Sequence, residues 1–269
     1  MHHNSTFVCF ELCNHKSCCR WEAERPLIHV HHERADAPCT TCAVRDRGIC
    51  QALIGKSGHA VPVGSKQMTQ VHQTAHAGQL IYRSGERAEG VDVVCDGWAF
   101  TFIVLSDGRR QILSFLLPGD MVATSALLKD RMGFSIQALT DLRYCRFNKS
   151  ELRSYMAAAP KFFDEFASIC VAEREESNQL ATDLGRRTAD ERIARLILAL
   201  MARLDARGMV HEQSFAFPLR QRHIADATGL TPVHVSRVIG GFRTARLIDI
   251  TGRSLRVLDL DELRRVGAH

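Results

Sequence analysis

Gly229-Leu230-Thr231-Pro232-Val233-His234-Val235-Ser236-Arg237 decides the fold of the C-terminal third. Arg220 to Ala227 reads as a short helix, and Gly229 supplies the left-handed residue that ends it. Thr231 then serves as N-cap and Pro232 as first helical residue of a second helix. The two helices with their tight turn follow helix-turn-helix grammar. On the second helix Val235, Val238, Ile239 and Phe242 repeat at i, i+3, i+4 and i+7 and face a core. The opposite face carries Val233, His234, Ser236, Arg237, Gly240 and Arg243. Serine and arginine near the start of such a helix suit base edges, because arginine reaches guanine O6 and N7 with two hydrogen bonds. His234 suits the same face as a reader or as a solvated histidine. Leu247 to Ile250 and Leu255 to Leu258 form a β-wing around Thr251-Gly252-Arg253-Ser254, with Arg253 placed to touch phosphate. A plain helical hairpin with a basic face needs fewer agreeing signals than these caps, turn and wing. Charge follows the same division. Residues 186–269 hold 15 Lys/Arg against 9 Asp/Glu, a net +6, and the rest of the chain is at −1. The basic part is therefore the polyanion-binding part.

Working upstream, Thr188 to Arg207 is amphipathic, with Ile193, Leu196, Ile197, Leu200 and Leu204 on one stripe. From Pro160 to Gly185 the pattern predicts a long helix. Its apolar seam is Phe163, Phe166, Cys170, Glu173, Ser177, Leu180 and Leu184, at the alternating three and four spacing of a coiled coil. A seam of that length predicts a homodimer, although packing on the same chain uses the same stripe. Glu173 and Ser177 are poor seam residues, and two Glu173 carboxylates meeting across a two-fold axis would make the dimer marginal. Earlier still, short β-rich runs alternate with turns: Gln79 to Tyr82, Val91 to Cys95, Trp98 to Leu105, Gln111 to Leu117, Ser135 to Ala138 and Arg143 to Phe147. Runs this short and regular predict a small antiparallel barrel or roll, with a hairpin tip at Asp107-Gly108.

Cysteine usage is the other informative feature. Cys39, Cys42 and Cys50 form a Cys-x2-Cys-x7-Cys cluster, and Cys145 stands alone downstream. Thiolates two residues apart grip one metal ion or cluster edge, and a remote ligand ties that loop to a folded domain. A disulfide framework is not expected, because 269 residues with 45% hydrophobic content build ordinary cores. No run approaches the length that spans a bilayer and no secretory leader is visible, which predicts a cytoplasmic chain with reduced thiols and no membrane partner. Cys95 and Cys170 read as core or seam residues. Residues 1–35 carry Cys9, Cys13, Cys18 and Cys19 among six histidines without helical or strand period. A second metal site, a flexible tail and an over-long start all fit that segment. Gly55-Lys56-Ser57 resembles the end of a P-loop, but Cys50 stands where its leading glycine belongs. No other enzyme motif is present, and no catalytic residue is assigned.

Taken together, residues 39–260 resemble the Crp/Fnr family of regulators, specifically the oxygen-sensing Fnr type. The likeness runs in order through Cys39-Thr40-Thr41-Cys42-Ala43-Val44-Arg45-Asp46-Arg47-Gly48-Ile49-Cys50, Leu116-Leu117-Pro118-Gly119-Asp120-Met121-Val122 and Ala138 to Cys145. Thr188-Ala189-Asp190-Glu191-Arg192 and Gly229 to Arg237 continue it. The resemblance implies an α+β chain with an N-terminal antiparallel β-roll (cupin-like, the cyclic-nucleotide-binding-domain fold), a long dimerisation helix and a C-terminal winged helix-turn-helix. The segments would be a flexible extension over 1–35, a sensor over 36–150, the dimerisation helix over 151–186 and the DNA-binding domain over 187–269. It further implies a [4Fe-4S] cluster on Cys39, Cys42, Cys50 and Cys145, whose loss to oxygen loosens the dimer and releases promoter DNA. Zinc uses the same ligand set, and spacing alone does not separate the two. RNA polymerase would meet the Ser106 to Arg110 hairpin. Three departures stand out. Val233 occupies the position of the glutamate in Fnr-type reader helices, so a cytosine N4 contact is exchanged for an apolar one. Residues 51–70 lack the clean helix that follows the third cysteine in the family. Gly119 to Ala126 lacks the Gly-Glu and Arg-Ser pairs that cAMP-binding relatives use, so no cAMP is expected. Regulators of the same fold that sense nitric oxide, haem or a metabolite, and a structural zinc module, are the alternatives.

Overall fold

The structure is a computed structural model that describes residues 39, 42, 44–54, 60–63, 66–122 and 124–268. Cys9, Cys13, Cys18, Cys19 and the Gly55-Lys56-Ser57 stretch lie outside these residues. A short helix α1 (Gly48–Leu53) and a two-stranded hairpin, β1 (Pro62–Val63) with β2 (Lys66–Gln67), precede the roll. The roll strands are β3 (Gln70–Ala75), β4 (Leu80–Tyr82), β5 (Gly90–Asp96), β6 (Ala99–Val104), β7 (Arg110–Leu116), β8 (Met121–Val122), β9 (Ser135–Ala138) and β10 (Leu142–Asn148). They form two antiparallel four-stranded sheets, β3-β10-β5-β8 and β4-β9-β6-β7. Gly97 makes the β5–β6 turn at φ 82°, where any Cβ would meet the Asp141 carbonyl at 2.1 Å. A helical turn, α2 (Ser125–Leu128), follows β8.

Both sheets are covered on both faces, which is why β5 and β6 read as nearly unbroken apolar runs. Between the sheets lie Val94, Ala99, Leu116, Val122, Ile136, Leu142 and Tyr144. The outer face of the first sheet, Val91, Val93, Cys145 and Phe147, is capped by α1 and the following helices through Ile49, Leu53, Leu152, Phe162 and Phe166. The outer face of the second, with Phe100, Phe102, Ile112 and Phe115, shares one core with the C-terminal domain. Inside the roll, Arg146 donates from Nε and Nη2 to the two oxygens of Asp92 at 2.8 and 2.9 Å, and Tyr82 donates to Asp92 at 2.8 Å.

Asn148 caps a helix that the sequence pattern missed, α3 (Lys149–Ala158), by accepting from the Ser150 and Glu151 amides at 3.0 and 3.1 Å. Pro160 holds Ala159 extended and starts α4 (Pro160–Arg186) as its first residue. The expected seam on α4 is divided, which corrects the single-face reading. Phe166, 5% exposed, and Cys170 turn into their own chain with Phe162, whereas Phe163 is 53% exposed. A straight helix drifts against a seven-residue repeat, so the stripe does not keep one face over seven turns. Glu173, although exposed, reaches back to its own chain and accepts from Thr124 Oγ1 at 2.5 Å, and the exposed Ser177 donates from Oγ to the Glu173 carbonyl at 2.8 Å. Leu180 and Leu184 are half-buried.

The C-terminal domain comprises α5 (Ala189–Asp205), β11 (Ser214–Ala216), α6 (Gln221–Thr228), α7 (Pro232–Thr244), β12 (Ile248–Thr251), β13 (Ser254–Val257) and α8 (Leu260–Ala268). Thr188 and Glu191 close a reciprocal capping box on α5. The wing is three-stranded in the order β11-β13-β12, one strand more than the sequence pattern offered. Asp120, at the end of the Leu117-Pro118-Gly119-Asp120 turn, ties the roll to α5 by accepting from Arg203 at 2.5 Å and from Arg207.

Asp92→Ala leaves Arg146 charged and unpaired in the roll interior. We expect a loss of about 3 to 5 kcal/mol of unfolding free energy in denaturant titration, and a smaller loss for Asp92→Asn.

Candidate metal centre and DNA-reading face

The candidate metal centre is set by strand register. β10 pairs with β3 so that Cys145 lies opposite His72, and with β5 so that Cys145 lies opposite Val93. Side chains alternate faces along a strand, so Cys145, His72, Gln70 and Cys95 share the face beneath the cysteine loop. A register shift between Arg143 and Tyr144 closes the diagonal, and Cys95 Sγ reaches 3.0 Å from Cys145 Sγ. From the loop, Cys39 Sγ stands 3.7 Å from Cys145 Sγ and 3.7 Å from His72 Nε2. Gln70 Nε2 sits among them, donating to Cys39 Sγ at 3.1 Å and Cys145 Sγ at 3.5 Å, and 3.2 Å from His72 Nε2. Its oxygen is fixed by the Ala60 amide at 2.9 Å. Cys42 Sγ points at the Cys95 carbonyl from 3.9 Å. Cys50 is buried in the same core on α1.

Contact and burial shift the clustered thiols in opposite directions. Hydrogen bonds from Cys145 and Cys95 hold the Cys39 thiol far below the usual range, against the opposing effect of burial. Contact with Cys39 and burial push the Cys145 thiol up against the opposing contact with Cys95, and contacts with Cys145 and Cys39, together with burial, push the Cys95 thiol up. Burial raises Cys42 and pushes Cys50 up to about 12. Thiolates are the metal-binding form, so a bound cation would reverse these upward shifts.

Of the four expected ligands, the structure brings Cys39 and Cys145 into contact and places Cys42 and Cys50 around them. It adds His72, which the sequence reading left out, to the group that could hold an ion, and sets the core residue Cys95 beside Cys145. The polar run Gln70-Val71-His72-Gln73-Thr74 gave no strand signal because β3 is an edge strand. Cys95 had a partial signal: pairing the opposite charges Asp92 and Arg146 sets Cys145 opposite Val93, and residue 95 then lies on the same face two residues further along β5.

The second site is the outer face of α7. Thr231 Oγ1 accepts from the His234 amide at 3.2 Å, and Gly229 makes the left-handed turn at φ 67°. Val235, Val238 and Phe242 are buried, and Val233, His234, Ser236, Arg237 and Arg243 are exposed, with Val233 at 72%. Arg243 lies 3.8 Å from Asp249, and Arg253 is exposed at the wing tip. Behind this face, α6 rests on the roll. Arg110 pairs with Asp226 at 2.6 Å, Gln111 donates to the Ala227 carbonyl at 3.2 Å, and His223 stacks on Phe100 at 5.8 Å.

Residues 72–159 match the family model of the cyclic nucleotide-binding domain, and residues 191–266 that of the Crp-like helix-turn-helix domain. The chain is 31% identical to the transcriptional activator protein FnrA of Stutzerimonas stutzeri over 68% of its own length and 74% of the relative's. The chain belongs to the Crp/Fnr family of transcriptional regulators. It is also 28% identical to the transcriptional activator protein FnrL of Cereibacter sphaeroides, over 80% of this chain and 85% of that one. The structure of FixK2 from Bradyrhizobium japonicum superposes with a TM-score of 0.69 at 26% identity, covering 75% of this chain and 98% of the other. The expected β-roll, long helix and C-terminal helix-turn-helix are thus the Crp/Fnr fold. Like its relatives this Crp/Fnr chain is a DNA-binding regulator and not an enzyme. Among the described residues no helix is long and apolar enough to cross a membrane.

His223 makes the docking of α6 pH-sensitive. Burial lowers its pKa from 6.5 to about 4, with Arg222, Arg110 and Arg220 adding repulsion. The folded chain resists protonation that the unfolded chain accepts, so this stabilisation is present above pH 6.5 and is lost as pH falls toward 4. Unfolding of wild type and His223→Gln across that window should show a stability difference that shrinks as pH falls.

Proposed function

We propose that this regulator senses oxygen through a [4Fe-4S] cluster held by Cys39, Cys42, Cys50 and Cys145, and that the cluster controls dimerisation and promoter binding. One observation carries the reading. The loop bearing Cys42 and Cys50 meets Cys145 on β10 and also reaches the DNA-binding domain, where Arg47 donates to the Ala206 carbonyl at the end of α5 at 2.8 Å. The donor set fits the group: buried or half-buried sulfurs, none of them in a disulfide. When bound, such a cluster supplies an iron–sulfur core that oxygen degrades. This chain's residues do the rest. Cys42 and Cys50 hold the loop against the roll, Arg47 ties it to α5, and Arg203 and Arg207 on Asp120 hold α5 to the adjoining turn.

Within this proposal residues 36–150 are the sensor, 151–186 the dimerisation helix and 187–269 the reader. Val233, His234, Ser236 and Arg237 face base edges, and Arg243 and Arg253 face phosphate. The two-fold partner meets α4 through the exposed Phe163 and the Leu180 to Leu184 stretch. RNA polymerase meets the exposed tip Ser106 to Arg109, since Arg110 is taken up by Asp226. Cyclic nucleotide is not the expected effector, because Gly119 to Ala126 lacks the Gly-Glu and Arg-Ser pairs that cAMP-binding relatives use. Reduced thiols fit a cytoplasmic chain.

Protein purified without air should contain about four irons and four acid-labile sulfides per chain. Its visible absorption should bleach when oxygen is admitted, and Cys50→Ser should abolish it. Stoichiometric zinc in place of iron would overturn the oxygen reading and leave the DNA-binding function standing. On DNA, Arg237→Ala should cost about 1 to 3 kcal/mol on the specific site and little on random sequence. Arg253→Ala should weaken both alike and lower the salt slope by about 1. Equal losses on both DNAs for Arg237→Ala would remove Arg237 from base reading.

A further inference from the structure

We propose that Cys39, His72, Cys95 and Cys145 form a second ligand set, for a single zinc-class divalent ion, distinct from the four-cysteine set and exclusive with it. The set is spread over four places in the chain: the loop and strands β3, β5 and β10. Strand pairing, which owes nothing to any metal, brings three of its members to one spot. The spacing fits one tetrahedral ion. Zinc bond lengths put two thiolates about 3.8 Å apart and a thiolate about 3.6 Å from an imidazole nitrogen. Cys39 to Cys145 and Cys39 to His72 Nε2 are both 3.7 Å, and the ligand atoms of Cys39, His72 and Cys145 lie within 4.8 Å of one another. Cys95 Sγ, 3.0 Å from Cys145 Sγ, stands outside that 4.8 Å group, and a turn of its side chain away from Cys145 and toward the other two ligands would take the fourth tetrahedral corner. Thiolates bound to the four irons of a cubane stand much farther apart than this.

The surroundings supply the outer shell that such a site uses. Gln70 Nε2 donates to both Cys39 and Cys145, and its own oxygen is anchored on the Ala60 amide. Three thiolates and one imidazole make a soft donor set, which selects zinc-class ions over magnesium or calcium. Because Cys39 and Cys145 belong to both sets, an ion seated here blocks cluster assembly. Cys42 and Cys50 are then left without a ligand role, and the chain has two metal states that share half their ligands.

The test uses cluster-free full-length chain, reduced and without air, with Cys9, Cys13, Cys18 and Cys19 replaced by serine to silence the extension. It is loaded with one equivalent of zinc for X-ray absorption, and with cobalt(II) for optical titration. Three sulfurs and one nitrogen around zinc are expected. Cobalt should give the visible bands of a tetrahedral ion, with a thiolate charge-transfer band that falls by about a third in Cys95→Ser. His72→Ala should weaken the ion 10- to 100-fold, and Cys42→Ser and Cys50→Ser should leave the spectrum unchanged. The X-ray result needs no ligand variant, so a misfolded substitution cannot decide the outcome. Four sulfurs, or a cobalt spectrum lost with Cys42 or Cys50 and indifferent to Cys95 and His72, would overturn the proposal. Iron and sulfide in Cys95→Ser loaded with cluster report on the four-cysteine reading separately, since that variant keeps all four cluster ligands.

Discussion

The pairing of β10 between β3 and β5 is the constraint on which both the roll and the metal centre rest. Seven residues of one strand serve two environments because side chains alternate across it. Leu142, Tyr144 and Arg146 point between the sheets, where Arg146 meets Asp92 across the register with β5. Cys145 and Phe147 point outward to the capping helices and the cysteine loop. A one-residue slip would exchange the two sets, burying a charge under α4 and moving the thiol into the roll. The buried ion pair therefore acts as a register lock: its members satisfy each other only in the frame that sets Cys145 beside His72 and Cys95. Its value is specificity of pairing more than net stability, because desolvation offsets much of the attraction.

The same economy links sensor to reader. The second sheet has no solvent face; its outer aromatic residues continue into the core of the C-terminal domain. Two polar anchors flank that contact, Asp120 with Arg203 and Arg207 at α5, and Arg110 with Asp226 at α6. A third, Arg47 to the Ala206 carbonyl, belongs to the cysteine loop itself. Any rearrangement of the loop therefore acts directly on the C-terminal end of α5, with no intervening chain of contacts.

Much of this was legible from residues. The winged reader was legible because its signals are local: Thr231 and Pro232 start α7, Gly229 ends α6, and apolar periodicity names the buried face. The roll strands with hydrophobic patterning were legible for the same reason. Edge strand β3 was not, since its polar run resembles a loop until Cys145 is placed opposite His72. α3 was hidden because Pro160 looks like the start of the helical region when it is a break within it. The seam of α4 was read as one face because spacing does not say which partner each residue meets. Phe166 and Cys170 meet the chain's own roll, and Glu173 meets Thr124. Cys95 packs against the core as its spacing suggested, and only strand register shows that its sulfur also lies beside Cys145.

The exposure of α7 narrows how the proposed switch can operate. Val233, His234, Ser236 and Arg237 are already open to solvent in a single chain, so DNA is not kept away by covering the reader. What a single chain lacks is a second reader at fixed spacing, because two half-sites are recognised together only when their helices sit about one DNA turn apart. In the proposed dimer that spacing would depend on α4, which would set the distance between copies, and on the docking of α6 and α5 to the roll, which sets the direction of α7. The cysteine loop touches both, through the core it shares with Phe162 and Phe166 at the start of α4 and through Arg47 at the end of α5. In the proposed switch, a change at the cysteine cluster would therefore act by altering the geometry of a pair of readers, with each reader intact.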